Sequence, residues 1–110
     1  MPKYILAHDI GTSGNKASLY TTDGELIFSS TSPYVTTYLH GNWAEQDPRD
    51  WWQAICVSSR KAAEHIDARE IVCVSLSGQM MGCVCVDKFG SALRNSIIHS
   101  DQRAVKQNGE

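Results

Sequence analysis

The sequence has no excess of either charge. Its 10 lysines and arginines stand against 12 aspartates and glutamates, for a net charge of -2, so binding to nucleic acid or to an anionic membrane by charge alone is not expected. No run approaches the roughly 18 apolar residues of a membrane-spanning helix, and the N-terminus lacks a signal-peptide pattern. These absences predict a cytoplasmic protein whose partners include neither nucleic acid nor a membrane.

The four cysteines form no known motif. Two disulfides or a metal set are conceivable, but no Cys-x-x-Cys pair occurs and the predicted compartment is reducing. Cys83 and Cys85 lie two residues apart in a predicted strand and so share one face. We predict that the cysteines are small buried hydrophobic residues. His8 is likewise predicted to be a packed histidine, and His40, His65 and His99 are too scattered for a metal site.

The segment ILAHDIGTSGNK near the N-terminus is the most informative part of the chain. An apolar strand brings Asp9 into a glycine- and hydroxyl-rich turn, and a second strand carrying Lys16 follows. Glycines let the backbone approach an anion, hydroxyl and amide groups donate to phosphate oxygens, and an aspartate at a strand end can hold hydrated Mg²⁺. The turn matches neither the Walker nor the Rossmann pattern. It predicts a phosphate-handling hairpin.

The remaining pattern predicts an α/β fold. The second strand continues to Tyr20, and an Asp-Gly turn leads to a third strand at residues 25–30, which makes an antiparallel meander. Asp47 is predicted to cap a helix that begins at Pro48. A strand at residues 70–77 should run parallel to the first after this helical crossover, and residues 83–98 should form a hairpin.

Burial is also predicted from the pattern. The first strand, residues 4–10, is nearly continuously apolar and should be covered on both faces. Trp51 and Trp52 are predicted to anchor the helix to the sheet. The buried stripe of the helix, at three- and four-residue steps, should consist of Trp52, Ile55, Cys56, Ser59, Ala63 and Ile66.

The strand, turn, strand, turn, strand opening resembles the start of the actin-like (ribonuclease H-like) ATPase domain. Three later segments are NWAEQDPRDWW at residues 42–52, LSGQMMG at residues 76–82 and NSIIHSDQR at residues 95–103. In this order and spacing they resemble the FGGY family of carbohydrate kinases, and among its members the xylulokinases most. The resemblance implies ATP-dependent phosphorylation of a sugar or polyol hydroxyl, with ATP and Mg²⁺ as cofactors.

The resemblance also implies roles for individual residues. Asp9 is the expected Mg²⁺ and phosphate ligand, although a strand-end aspartate that satisfies turn amides is the simpler alternative. The expected nucleotide-side residues are Gly11, Thr12, Ser13 and Lys16, although a solvated strand lysine is the alternative for Lys16. The expected substrate-side residues are Gln79, Met80, Met81, Asp101 and Arg103. Met81 stands where xylulokinases carry a histidine and His99 where the family carries a tryptophan, so the particular sugar stays open.

The resemblance covers only the start of a first domain. Residues 1–110 are therefore expected to be the N-terminal part of that domain, with the general base beyond the chain and the nucleotide-binding second domain absent. Alone, the chain is expected to be inactive and to self-associate through exposed apolar surface. The alternative is a standalone sugar- or nucleotide-binding module. A third alternative is another actin-like ATPase, such as a chaperone or activase. The segments at residues 45–48 and 77–80 argue against it.

Overall fold

The computed structural model describes residues 2–108, which divide into two units. Unit 1 consists of residues 2–34 and 51–79, and unit 2 consists of residues 35–50 and 80–108. The strands are β1 (Tyr4–Ile10), β2 (Gly14–Thr21), β3 (Leu26–Pro33), β4 (Thr37–Leu39), β5 (Trp43–Gln46), β6 (Ile71–Gly78) and β7 (Ser96–Ile97). The helices are α1 (Pro48–Ala63), α2 (Val105–Asn108) and a short 3-10 helix at Ala68–Glu70.

Unit 1 contains a four-stranded sheet in the order β3-β2-β1-β6. Strands β1, β2 and β3 are antiparallel neighbours and β6 runs parallel to β1, which confirms the predicted meander and crossover. At the start of β2, a Cβ on Gly14 would lie 2.7 Å from the carbonyl oxygen of Ser32. Only glycine therefore allows β3 to pass this close to the first turn.

The core of unit 1 lies on one face of this sheet. Leu6, Ala17, Leu19 and Ala62 form its buried apolar cluster. Along β1 the burial alternates, because Leu6 and His8 are buried whereas Asp9 is exposed. The prediction that β1 is covered on both faces is wrong for the described residues, since they place a helix over one face only and the strand shows the alternation of a half-buried sheet.

Helix α1 begins as predicted, because the Asp47 carboxylate accepts from the Arg49 backbone N–H at 3.0 Å. Its buried residues are Ala54, Ser58 and Ala62, four apart and all small, which lets the helix axis approach the sheet closely. The predicted stripe is confirmed only in part, since Ile66 packs against the core and Ile55, Cys56, Ser59 and Ala63 are half-buried. The predicted anchoring by Trp52 is wrong, because this side chain is 64% exposed. The indole of Trp52 therefore did not indicate the packed face of the helix.

The cysteine prediction is also wrong. Cys73, Cys83 and Cys85 are exposed and Cys56 is half-buried, all as free thiols. The predicted hairpin at residues 83–98 is present only as isolated bridges, Cys83 with Ile97 and Val86 with Ala92. Its apolar residues face no second layer among the described residues, so the shared face of Cys83 and Cys85 is not a core face.

Unit 2 contains a small sheet in the order β4-β5-β7. Its central strand β5 carries Glu45, which is paired in register with Thr37 on one side and Ile97 on the other. Three of the four residues of β5 are buried, so the sheet holds Glu45 inside unit 2. Within residues 2–108, no helix is long and apolar enough to cross a membrane.

Candidate phosphate-binding turn and substrate-side cluster

Asp9 lies on the exposed face of the unit 1 sheet, next to two groups that suit a phosphate site. It is directly opposite Lys16 of β2 and opposite Ser77 of β6, and side chains paired in this way project from the same face. The Ser77 hydroxyl donates to Asp9 Oδ1 at 3.4 Å. Asp9 and Lys16 are exposed, so a carboxylate and an ammonium group are presented together to solvent.

The turn between β1 and β2 is closed by a hydrogen bond from the Gly11 N–H to the Gly14 carbonyl at 3.0 Å. Thr12 and Ser13 at its tip are exposed, and Gly11 is half-buried. The structure therefore brings together all the nucleotide-side residues predicted from the sequence, at one end of the β1–β2 hairpin. Their role in phosphate binding stays a prediction.

Behind this hairpin, a neutral polar network joins the sheet to α1. The Asn15 amide donates to His8 Nδ1 at 2.9 Å and to the Ser58 hydroxyl at 2.9 Å. Because Nδ1 accepts from Asn15, a neutral ring carries its proton on Nε2, which lies 3.1 Å from the Ser59 hydroxyl. Burial lowers the pKa of His8 from its ordinary value, against the hydrogen bond from Asn15. His8 is thus a packed neutral histidine, as predicted.

Tyr34 and Gln79 hold the backbone of the turn. The Tyr34 hydroxyl donates to the Gly11 carbonyl and its backbone N–H donates to the Ser13 carbonyl at 3.2 Å. The Gln79 side chain also donates to the Gly11 carbonyl, at 3.3 Å, and its N–H donates to Ile10 at 2.8 Å. Burial, aided by the Asp9 charge, raises the pKa of Tyr34 to about 12. Sequence reasoning missed Tyr34; its only signal was an aromatic residue four positions after the end of the predicted third strand.

The two methionines predicted for the substrate side begin the second part of unit 2. Met80 is 75% exposed and Met81 is 85% exposed. Met81 has a φ of 65°, a left-handed backbone conformation that side chains other than Gly and Asn rarely adopt. Both side chains are accessible to a ligand.

Asp101 and Arg103 instead belong to an ion-pair network inside unit 2. Arg103 contacts Asp101 at 2.6 Å and Glu45 at 2.7 Å, and Arg94 reaches Glu45 at 3.0 Å. The Arg103 guanidinium also lies 3.9 Å from the ring centre of Trp43. The hydrogen bond from Arg103, with help from Arg94 and against desolvation, lowers the pKa of Glu45.

The network is tied to the backbone of β5. Asp101 Oδ2 accepts from the Ala44 N–H at 2.7 Å, and the Arg103 guanidinium holds the pKa of Asp101 well below its usual range. Glu45 is 7% exposed and supports this network from the middle of β5. His99 is exposed and makes none of the contacts of this network.

Within residues 2–108, no group of three or more His, Cys, Asp or Glu side chains is arranged to hold a metal ion. A Mg²⁺ ion that is bound to a nucleotide takes most of its ligands from phosphate oxygens and water, so one protein carboxylate can be enough. Asp9 is an accessible carboxylate of this kind. The residues at the turn therefore fit a nucleotide-borne Mg²⁺.

The fold is the opening portion of the actin-like (ribonuclease H-like) ATPase domain. A gluconate kinase from Lactobacillus acidophilus superposes with a TM-score of 0.90 at 27% identity, over 99% of this chain and 22% of that one. A ligand-bound xylulose kinase from the same organism gives 0.88 at 28% identity, over 97% of this chain and 22% of that one.

The sequence comparisons agree with the structural ones. The N-terminal domain model of the FGGY family of carbohydrate kinases matches residues 4–110. A xylulose kinase from Klebsiella pneumoniae is 34% identical over 90% of this chain and 20% of its own length. A glycerol kinase from Rippkaea orientalis is 36% identical over 94% and 22%, respectively. The chain belongs to the FGGY family of carbohydrate kinases, and it spans about a fifth of the length of these relatives.

Proposed function

We propose that this chain supplies the phosphate-handling part of a cytoplasmic kinase that transfers the γ-phosphoryl group of ATP to a hydroxyl of a sugar or polyol. The observation that carries the proposal is the register of Asp9 with Lys16 beside the glycine-rich turn. Relatives named xylulose, glycerol and gluconate kinase share a polyhydroxylated substrate, which supports the substrate class and leaves the particular sugar open. Residues 1–110 would form the N-terminal part of the kinase's first domain.

The proposed roles on the nucleotide side follow from charge and position. Asp9 would hold Mg²⁺, which when bound neutralises phosphate charge and aligns the phosphoryl group. Lys16, on the same face, would attract the phosphate oxygens. Gly11, Thr12 and Ser13 would place backbone and hydroxyl donors against the phosphates. In this proposal the chain orients the phosphates, and the general base is not among its assigned residues.

On the substrate side, Gln79, Met80, Met81, Asp101 and Arg103 remain the proposed residues. Met80 and Met81 would pack their thioethers against the carbon skeleton of the ligand, since both are accessible. Asp101 and Arg103 already satisfy each other. They would act by holding Trp43 and the β5 backbone in place. In this role neither side chain has to form a hydrogen bond with the substrate itself.

The test compares Asp9→Asn with Asp23→Asn, an exposed control in the β2–β3 turn. The intact mass of the protein isolated from its native host is measured first. Both variants are then made in a protein of that length and are assayed with a panel of sugars and polyols. Asp9→Asn should lower turnover about a hundredfold or more while sugar affinity changes little. Equal loss of turnover and sugar affinity would make Asp9 structural and overturn the proposal.

One observation favours the alternative of a binding module that associates with itself. Strand β6 is an edge of its sheet among the described residues, and Val72, Val74 and Leu76 on it are 54%, 57% and 62% exposed. We propose that the 110-residue chain, handled alone, self-associates through this edge. Val74→Lys should abolish dimers in sedimentation experiments, whereas Val105→Lys should not. Nucleotide binding without ADP release would then favour the module.

A further inference from the structure

Tyr34 contacts the turn between β1 and β2 at two points. Its hydroxyl donates to the Gly11 carbonyl, and its backbone N–H donates to the Ser13 carbonyl. It follows directly after β3, an outer strand of the unit 1 sheet. Gln79, which follows the other outer strand, β6, donates to the same Gly11 carbonyl. The turn between the two inner strands is thus held from the ends of both outer strands.

These contacts determine which way the turn amides point. In a planar trans peptide the carbonyl and the following N–H point in opposite directions. The Gly11 carbonyl is held toward Tyr34, so the N–H of Thr12, in the same peptide unit, points away from Tyr34. The Ser13 carbonyl is also held toward Tyr34, so the N–H of Gly14 points away from Tyr34 as well. Carbonyl oxygens repel an anion, whereas amide N–H groups attract one. Tyr34, aided by Gln79 at Gly11, therefore fixes the direction of two carbonyls of the turn and, with them, the direction of the two amides that follow.

We propose that Tyr34 is a positioning residue for nucleotide phosphate binding, whose hydroxyl keeps the turn in its anion-binding conformation. The inference rests on the proposed kinase function of the same turn. Tyr34 acts through Gly11 and Ser13 and needs no contact with the nucleotide. The hydroxyl must stay protonated in order to donate, and the raised pKa of Tyr34 is consistent with this requirement.

The experiment uses Tyr34→Phe, which retains the ring and the backbone N–H and removes only the hydroxyl. The matched control is Tyr38→Phe, because Tyr38 is 74% exposed. Each variant is made in the same native-host protein that is used for Asp9→Asn, and it is titrated with Mg–ATP while the backbone amides of residues 11–16 are followed by NMR. Amide hydrogen exchange at residues 12–14 and the thermal midpoint are measured on the same samples.

We expect Tyr34→Phe to weaken Mg–ATP binding about tenfold and to accelerate amide exchange at the turn by a similar factor, as the loss of one hydrogen bond predicts. Its thermal midpoint should stay close to that of Tyr38→Phe. Unchanged nucleotide affinity in a folded Tyr34→Phe variant would overturn the role of Tyr34 alone. Loss of affinity together with loss of the dispersed amide spectrum would also overturn it, in favour of a purely structural role.

The wild-type chain separates this inference from the proposed function. If its turn amides do not respond to Mg–ATP, the phosphate-binding role of the turn fails, and the role of Tyr34 fails with it. If they respond in the wild type and in Tyr34→Phe at the same concentration, the proposed function survives and only the inference about Tyr34 is wrong.

Discussion

Unit 1 and unit 2 are stabilised by different kinds of interaction. The described residues of unit 1 bury an apolar cluster around Leu19, and the polar side chains they bury are neutral. In unit 2, Ala44 and Ile98 are the buried hydrophobic residues among those described, and a buried carboxylate, Glu45, is held by two arginines. Hydrophobic packing does not depend on pH, whereas the ion pairs of unit 2 are lost in acid, when their carboxylates become protonated.

The difference matches what each unit is proposed to do. The turn of unit 1 has to hold a fixed backbone next to a highly charged nucleotide, and a neutral network behind it adds no competing charge. Unit 2 carries both the exposed methionines of the proposed substrate side and a network of fixed charges. Charged groups that neutralise one another can orient a surface such as Trp43 without presenting net charge to a neutral sugar.

The largest expected effect is on the apolar core of unit 1. Leu19 is fully buried, so Leu19→Ala should destabilise the protein by about 3 kcal/mol in urea denaturation, from lost transfer energy and the cavity left behind. Leu26 is 53% exposed, and Leu26→Ala is the control, with an expected change below about 0.5 kcal/mol. Similar losses in both variants would contradict the importance of this core.

A smaller effect is expected from the neutral network. Asn15→Ala removes the donor to His8 and to Ser58, and leaves a buried imidazole nitrogen without a partner. We expect a loss of about 2 kcal/mol in the free energy of unfolding. Asn42 makes one long hydrogen bond at the surface, so Asn42→Ala should change stability little. A neutral result for Asn15→Ala would show that the network is replaceable by apolar packing.

Acid should distinguish the units. Because the pKa of Glu45 is lowered from 4.5 in the folded protein, its stabilising contribution is present above that value and is lost as the pH falls through the lower folded value. Hydrogen exchange should show unit 1 losing some protection from about pH 6.5 downward, since burial lowers the pKa of His8 from 6.5, whereas unit 2 should lose protection only below about pH 4.5. Glu45→Gln should flatten this dependence, and Glu64→Gln, at an exposed site, should leave it unchanged. Simultaneous loss in both units would contradict the comparison.

The smallest effect is expected at alkaline pH and in unit 1. The pKa of Tyr34 is raised from 10.0 to about 12, so its stabilising contribution is complete below pH 10.0 and is lost as the pH rises toward the folded value. The side chain is only half-buried, and water screens much of the effect. Ultraviolet titration should find a late-ionising tyrosine in the wild type that is missing in Tyr34→Phe. A late-ionising group that persists in this variant would assign the shift to another tyrosine.

Sequence reasoning succeeded where the signal was local. The meander, the parallel crossover strand and the start of α1 at Pro48 were all predicted and are confirmed, since each depends on turn residues, a cap or a short β-branched run. It failed for burial. Trp52 and Cys83 were assigned to packed faces and are exposed, because residue type alone does not reveal which face of a helix or strand meets a neighbouring layer.

The candidate sites divide in the same way. The order of Asp9, the glycine-rich turn and Lys16 is determined by the sequence itself, because these residues lie within one hairpin. The contacts of Tyr34 and Gln79 with Gly11, and of Arg103 with Glu45, join residues 23, 68 and 58 positions apart. Such contacts depend on strand order and loop course, which local propensity does not encode. Only the tertiary structure decided that Tyr34 holds the turn and that Arg103 is paired inside unit 2.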